Sequence, residues 1–283
     1  MNTLIKNAVI ITMDDENPLV NGDIGISGGT ISFIGKSNDF TSDKIIDAKG
    51  NVVMPGLVNA HTHTPMTLLR SYSDDVNLQK WLFDNIFPIE ETFDEDDIYW
   101  GSMLACWEMI SGGTTSFADM YFLNKPTAEV AVQSGMRANI CRALQCFEDK
   151  TDFSNDYRMC EAIDLYTNYN GAGNGRITVE MSAHAVYTNT PNYLRFVAET
   201  TERLGTGMHT HISETSYENE QCMQKYGKTP TKLFSDCGFF GTRTLAAHCV
   251  YLSDNDVDIF KDKKINIVRS EERRVGKECR SRW

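Results

Sequence analysis

The stretch Val52-Val53-Met54-Pro55-Gly56-Leu57-Val58-Asn59-Ala60-His61-Thr62-His63 decides how the chain is read. Pro55-Gly56 is a turn signal set inside an apolar run. A strand is expected over Val52–His63, and strand period two places His61 and His63 on one face. Upstream, residues 1–54 read as β-rich. Apolar runs at Leu4–Met13, Ile24–Ile26, Ile31–Ile34 and Lys44–Ile46 are parted by turns at Asn21-Gly22, Gly28-Gly29 and Gly50-Asn51. Downstream, strand and helix alternate.

The further strands expected are Thr114–Met120, Met136–Leu144, Ile177–Ala185, Gly207–Glu214, Thr244–Tyr251 and Ile265–Val268. A helix over Asp94–Ser111 opens on an acidic cluster that suits the positive end of its dipole. It stops at Gly112-Gly113. A helix over Pro191–Leu204 has Thr190 as N-cap and Gly205 after its end. Another over Asp254–Lys261 has Ser253 as N-cap, whereas Gly171–Gly175 reads as a loop. Repeated βα units imply a parallel sheet, and this number of units points to an eight-stranded βα barrel. Residues 55–268 supply 214 residues and seven strands, the seventh short, so the barrel is read as incomplete.

Composition narrows the function. The 283-residue chain has 27 Lys and Arg against 39 Asp and Glu, a net charge of −12. That balance disfavours nucleic-acid and anionic-membrane partners. No apolar run reaches the ~18 residues of a membrane span. The N-terminus, which turns acidic at Asp14, reads as a strand and not as a signal peptide. Eight scattered Cys form no C-x-x-C pair and read as buried free thiols of a cytoplasmic protein.

Residues 269–283, RSEERRVGKECRSRW, break the pattern with a net charge of +3, leaving −15 on the rest. This segment resembles the in-frame translation of a common sequencing adapter. It is read as foreign to residues 1–268.

All six His (61, 63, 184, 209, 211 and 248) fall at the C-terminal part of an expected strand. Active sites of βα barrels sit at that end. His61 and His63 can share one divalent metal, and His209 and His211 repeat the spacing. Glu214 follows just past the strand end, where a carboxylate can serve as general base and then general acid. Imidazole ligands suit zinc, iron or nickel. The partial phosphate-loop look of Gly227-Lys228-Thr229 fails, because Cys222 stands where the first glycine belongs.

The run Met54–His63 resembles the first metal-binding strand of the amidohydrolase superfamily. The continuation His63–Arg70, with Trp81-Leu82, Pro88-Ile89-Glu90, Asp119–Phe122, His211–Thr215 and Ala246–Val250, is similar to the 5-methylthioadenosine/S-adenosylhomocysteine deaminases. The resemblance implies an α/β protein: residues 55–268 as an incomplete (β/α)8 TIM barrel, and residues 1–54 as part of a small β-sandwich. It implies that His61, His63 and His211 are ligands of one divalent metal, zinc or alternatively iron. Glu214 would be the proton shuttle and His248 would orient the attacking water. Trp81, Glu90 and His184 would line the purine nucleoside pocket. Arg142 and Arg158 would face the sulfur-side tail, where a guanidinium can pair with a carboxylate. A homo-oligomer is compatible with this family.

The resemblance also implies a last metal ligand, an Asp ending an eighth strand. No residue in 1–268 matches it, so the chain as written is expected to be inactive. Another amidohydrolase activity, such as guanine deaminase or triazine hydrolase, and a non-catalytic fragment remain as alternatives.

Overall fold

The computed structural model describes residues 1–37, 39–73 and 75–269, so Arg269 is the one described residue of the segment 269–283. The chain divides into two compact units, Met1–Leu57 and Val58–Trp283. In the first, β1 (Asn2–Ile11), β2 (Leu19–Ser27) and β3 (Thr30–Gly35) form an antiparallel meander. Gly28 and Gly29 turn the β2–β3 hairpin with φ of 59° and 87°, which glycine adopts without strain. The strands β4 (Lys44–Asp47) and β5 (Val52–Val53) join β1 in parallel. Ala8, Ile10, Ile24 and Ala48 are the buried centre of this unit.

The single strand expected over Val52–His63 is two strands. Val52 and Val53 pair with Val9 and Ile10 of β1, and β6 (Leu57–Thr62) begins a second sheet. Pro55 has no N–H to give to a ladder, so the chain changes sheets at Met54-Pro55-Gly56.

The second unit continues with β7 (Thr114–Tyr121), β8 (Arg137–Arg142), β9 (Ile177–Val179), β10 (Met181–Ala183), β11 (Met208–Ile212), β12 (Thr244–His248) and β13 (Asn266–Val268). The orders β6-β7-β8-β9 and β10-β11-β12-β13 are sequential, with parallel pairing. The strand expected over Ile177–Ala185 is interrupted at Glu180. Its first half pairs with β8 and its second half with β11, while the Glu180 N–H donates to Ile140 O at 3.0 Å. Glu180 itself is buried, bonded by Asn139 Nδ2 at 2.8 Å and Arg243 at 2.5 Å. The fold is α/β with sheets of parallel strands flanked by helices.

Capping chemistry sets the helix bounds. Asp94 caps Glu95–Ser111 in a capping box with Asp97, Thr190 caps Pro191–Leu204, and Ser253 caps Asp254–Lys263. The last helix runs past the expected Lys261 and ends on Lys264 in the left-handed region. Gly171–Gly175, expected as a loop, is a turn in which Gly171, Gly173, Asn174 and Gly175 all have positive φ. The seven described cysteines are free thiols, and only Cys160 is exposed. Among the described residues no helix is long and apolar enough to cross a membrane.

The helix Glu95–Ser111 also fixes the segment that follows His63. A Cβ at Gly101 would lie 2.6 Å from Pro65 O and 2.9 Å from Pro65 Cα. Thr67 Oγ1 donates to Gly101 O at 2.8 Å, and Thr64 Oγ1 meets Ser102 Oγ at 3.1 Å. Helix propensity alone would make Gly101→Ala stabilising by about 1 kcal/mol. Backbone overpacking at a tight contact costs typically ~1–3 kcal/mol, so the net effect expected is destabilisation. Urea unfolding checks it: the midpoint should fall, and an unchanged or raised midpoint would mean that this contact can relax.

Candidate metal centre and adjoining cleft

The six histidines reach one end of the parallel strands, and four of their rings gather around that of His61. Its ring centroid lies 4.9 Å from that of His63, 5.2 Å from His209, 4.8 Å from His211 and 5.1 Å from His248. His184 stacks edge-on against His211 at 4.8 Å. One ligand atom each from His61, His63 and His211 lie within 4.8 Å of one another.

Hydrogen bonds select which nitrogen of each ring is free. His63 Nδ1 is 2.5 Å from Met120 O, and His211 Nδ1 is 2.7 Å from His184 O. A carbonyl only accepts, so both Nδ1 atoms carry the proton and both Nε2 atoms keep a lone pair. His61 Nε2 is buried without any hydrogen-bond partner. An orphaned buried nitrogen is costly unless something binds it. Three neutral imidazoles with free Nε2 atoms, two of them held in orientation by backbone carbonyls and His61 by His209, fit a divalent cation of the zinc type. Burial supports this by pushing the His61, His63 and His211 pKa values down, which keeps the rings neutral.

Glu214 and His248 stand beside these rings. His248 Nε2 lies 3.7 Å from Glu214 Oε1. Burial lifts the Glu214 carboxyl to about 7 and lowers His248 to about 4. His248 sits on unusual backbone, and Glu214 follows directly after such a residue. Ser213, His248 and Cys249 have φ of 51°, 74° and 53°, a region that costs non-glycine residues about 1–3 kcal/mol each. The turns hold because Cys249 N donates to Ile212 O at 3.0 Å, and Val250 N and Tyr251 N donate to Ser213 O at 3.0 and 2.9 Å.

Trp81, Glu90, Arg142, Arg158 and His184 line one cleft of about 480 Å³ together with His63. Leu78–Glu90 is helical, with a π turn over Trp81–Ile86. Such turns re-aim side chains and recur at functional sites. Trp81 packs its ring into the wall and donates Nε1–H to Ser73 O at 3.1 Å. His184 Nδ1 meets Thr188 Oγ1 at 3.2 Å, and that hydroxyl donates to Ala185 O, so the His184 Nε2 stays an acceptor. Arg142 is already engaged: Nε donates to Glu161 at 2.9 Å and a terminal nitrogen donates to Ala143 O. Arg158 lies over the Tyr157 ring at 4.5 Å. Arg142 also borders a second cavity of about 600 Å³ with Lys125, Asp164 and Asn168, outside the ring of histidines.

Two partners, Tyr121 and Glu218, are given no role by the sequence, and His209 is read there only as the spacing partner of His211. Tyr121 donates its hydroxyl to Glu90 at 2.6 Å, Glu218 accepts from the Glu214 N–H at 2.9 Å, and His209 Nε2 contacts His61 Nδ1 at 3.1 Å. The signals were the i,i+4 step from Glu214 to Glu218 and the shared strand face of His209 and His211.

Burial raises the Glu90 pKa to about 7 from 4.5, against the Tyr121 hydrogen bond that lowers it. A folded pKa above the unfolded one favours folding while the group is protonated. That contribution is whole below about 4.5 and is lost as pH rises through 7. The loss is on the order of 3 kcal/mol at 1.36 kcal/mol per unit. Glu90→Gln should flatten the fall in stability between about pH 5 and pH 8, read by denaturant melts at several pH values. An identical slope in both proteins would show that Glu90 is solvated.

Comparison with known proteins agrees with this architecture. The model of the Amidohydrolase family matches residues 52–282. The chain is 42% identical over 275 residues to a 5-methylthioadenosine/S-adenosylhomocysteine deaminase of Acetivibrio thermocellus, covering 95% of this chain and 63% of that protein. It is 44% identical over 269 residues to a 5'-deoxyadenosine deaminase of Methanosarcina barkeri, covering 93% and 61%. The chain thus spans a little under two thirds of the length of these relatives. Its structure resembles that of a zinc-bound adenosine deaminase from Xanthomonas campestris, with a TM-score of 0.87 and 27% identity over 94% of this chain and 62% of that one. With the histidine-ended parallel strands and a family match over most of its length, the chain belongs to the amidohydrolase family.

Proposed function

We propose that this barrel is the core of a metal-dependent hydrolytic deaminase acting on the adenine ring of 5-methylthioadenosine, S-adenosylhomocysteine or adenosine. The observation that carries the reading is the convergence of three free imidazole Nε2 atoms with Glu214 and His248, beside a cleft of nucleoside size. His61, His63 and His211 would hold the metal, zinc before iron. The resemblance to the deaminases adds an Asp from an eighth strand, which the catalytic form would carry in a longer chain. The metal, when bound, supplies Lewis acidity that brings the pKa of a water to about 7.

The remaining roles belong to side chains of this chain. Glu214, with its carboxyl near 7, accepts the proton of the attacking water at neutral pH and passes it to the ring nitrogen. His248 orients that water. The oxygen adds to C6, giving a tetrahedral carbon that bears a hydroxyl and the amino group; Glu214 then carries the hydroxyl proton to the amino nitrogen, the C6–N bond breaks and ammonia leaves. The product is an inosine-type nucleoside. Glu90 suits ribose hydroxyls, His184 the purine edge and Trp81 the ring face. Arg158 faces the sulfur-side substituent with Arg142 behind it. The buried free thiols support a reducing, cytoplasmic setting.

The test is ammonia release by the full-length protein from these nucleosides, with guanine and a triazine as comparisons. Turnover confined to guanine or triazine would replace the reading. Glu214→Gln in that protein should keep its metal and lose at least about 100-fold in kcat, whereas His211→Ala should lose metal and turnover together. Loss of metal from Glu214→Gln would make Glu214 a ligand.

Arg158→Ala should cut kcat/KM for S-adenosylhomocysteine by about ten- to a hundredfold, the equivalent of ~1.5–3 kcal/mol for a charge-assisted pair. 5-Methylthioadenosine should be nearly unaffected. Equal losses on both substrates would assign Arg158 a structural role.

A further inference from the structure

The geometry points to His209 and Cys141 as positioning residues that set the tautomer of His61 through a buried chain of hydrogen bonds. The inference rests on the metal-centre reading and goes beyond the ligand set. His209 and Cys141 are 1% and 0% exposed, and neither faces the cleft described above.

Each link fixes the next. Cys141 has one S–H, and it donates to Asp119 O at 3.4 Å. Its sulfur is then only an acceptor toward His209 Nδ1, 3.6 Å away, so that nitrogen carries the His209 proton. A neutral His209 keeps a lone pair on Nε2. That atom is 3.1 Å from His61 Nδ1, which therefore donates to it. The proton of His61 is thus held on Nδ1, and its Nε2, the buried atom with no partner, is left with a lone pair for a cation.

The reverse order fails on two counts. It would place a proton on His61 Nε2, a buried donor with nothing to receive it. It would also take the thiol proton away from Asp119 O. His63 and His211 use backbone carbonyls for the same purpose. His61 has no carbonyl on its Nδ1, and His209 takes that place.

The experiment uses the 283-residue chain. Nitrogen-15 histidine NMR of the metal-free protein should show both His61 and His209 with the proton on Nδ1. Zinc affinity, read by competition with a chromophoric chelator, should fall about 10–100-fold in His209→Ala. His209→Gln, whose amide oxygen can still accept from His61 Nδ1, should recover most of that affinity. Cys141→Ala should shift the His209 tautomer and weaken zinc a few-fold, with Cys141→Ser restoring both. If His209→Ala does not fold, the Gln and Cys141 variants and the wild-type tautomers carry the test.

A proton on Nε2 of His61 or His209 in the wild type would overturn the proposal. So would equal zinc affinity in His209→Gln and a folded His209→Ala. Wild-type tautomers as stated without zinc binding would uphold the relay and count against the metal-centre reading instead.

Discussion

The register of the parallel strands holds the site together. The carbonyl that orients His63, at the end of β6, belongs to Met120 on the neighbouring β7. The carbonyl that orients His211, on β11, belongs to His184 at the end of β10. Each of these two rings is therefore aimed by the strand beside it, through a bond that exists only in one pairing. A slip of one residue would turn the imidazole to the opposite face and remove its carbonyl at once. The same ladder donates His211 N–H to His184 O at 3.0 Å, so backbone and side chain of one residue share one acceptor. Asp119 adds a lock from β7 by accepting the Thr64 N–H at 2.6 Å, just past His63.

Desolvation then gives the gathered groups their chemistry. The same burial lowers the basicity of imidazoles and raises that of carboxyls. It keeps the clustered rings neutral, which a cation requires, and it lifts Glu214 to the range where gaining and losing a proton at neutral pH are both easy. Glu218 sharpens this arrangement. It accepts from the Glu214 N–H, stays buried and is itself raised to about 7. A second ionised carboxylate so close to Glu214 would oppose charge there, so the pair favours at most one negative charge.

Much of this was legible because it depends on local pattern. Period-two histidines, an acidic helix start at Asp94 and the caps Thr190 and Ser253 are written in adjacent residues, and short-range geometry fixes what they do. What could not be read depends on pairing across the fold. Nothing in Val52-Val53 says that they join β1 and not the strand that follows; Pro55-Gly56 marks a break between the two but not which sheet each side enters. Glu180 interrupts a strand for the sake of Asn139 and Arg243, which lie 41 and 63 residues away. The engagement of Arg142 by Glu161 is likewise hidden, since a charged residue on a helix reads as solvated until its partner is known. His209 shares a strand face with His211, but only the approach of β6 across the sheet reveals that it serves His61.

The proposed ligands are His61, His63 and His211, so the centre would be assembled from β6 of one parallel sheet and β11 of the other. Joining them needs the strands between to be in register, so a cation bound there would be a long-range crosslink. Its binding energy would be available only to the folded sheets, which it would stabilise by mass action. The strained backbone at Ser213, His248 and Cys249 sits on the same rim. Strain of that kind persists only where surrounding structure over-determines it, and here the over-determining bonds are strand-end ones from Cys249, Val250 and Tyr251. The rim is thus where the fold stores its unfavourable terms: orphaned nitrogen, buried carboxyls and left-handed residues. Each of them is one that the proposed metal, water and substrate ring would relieve.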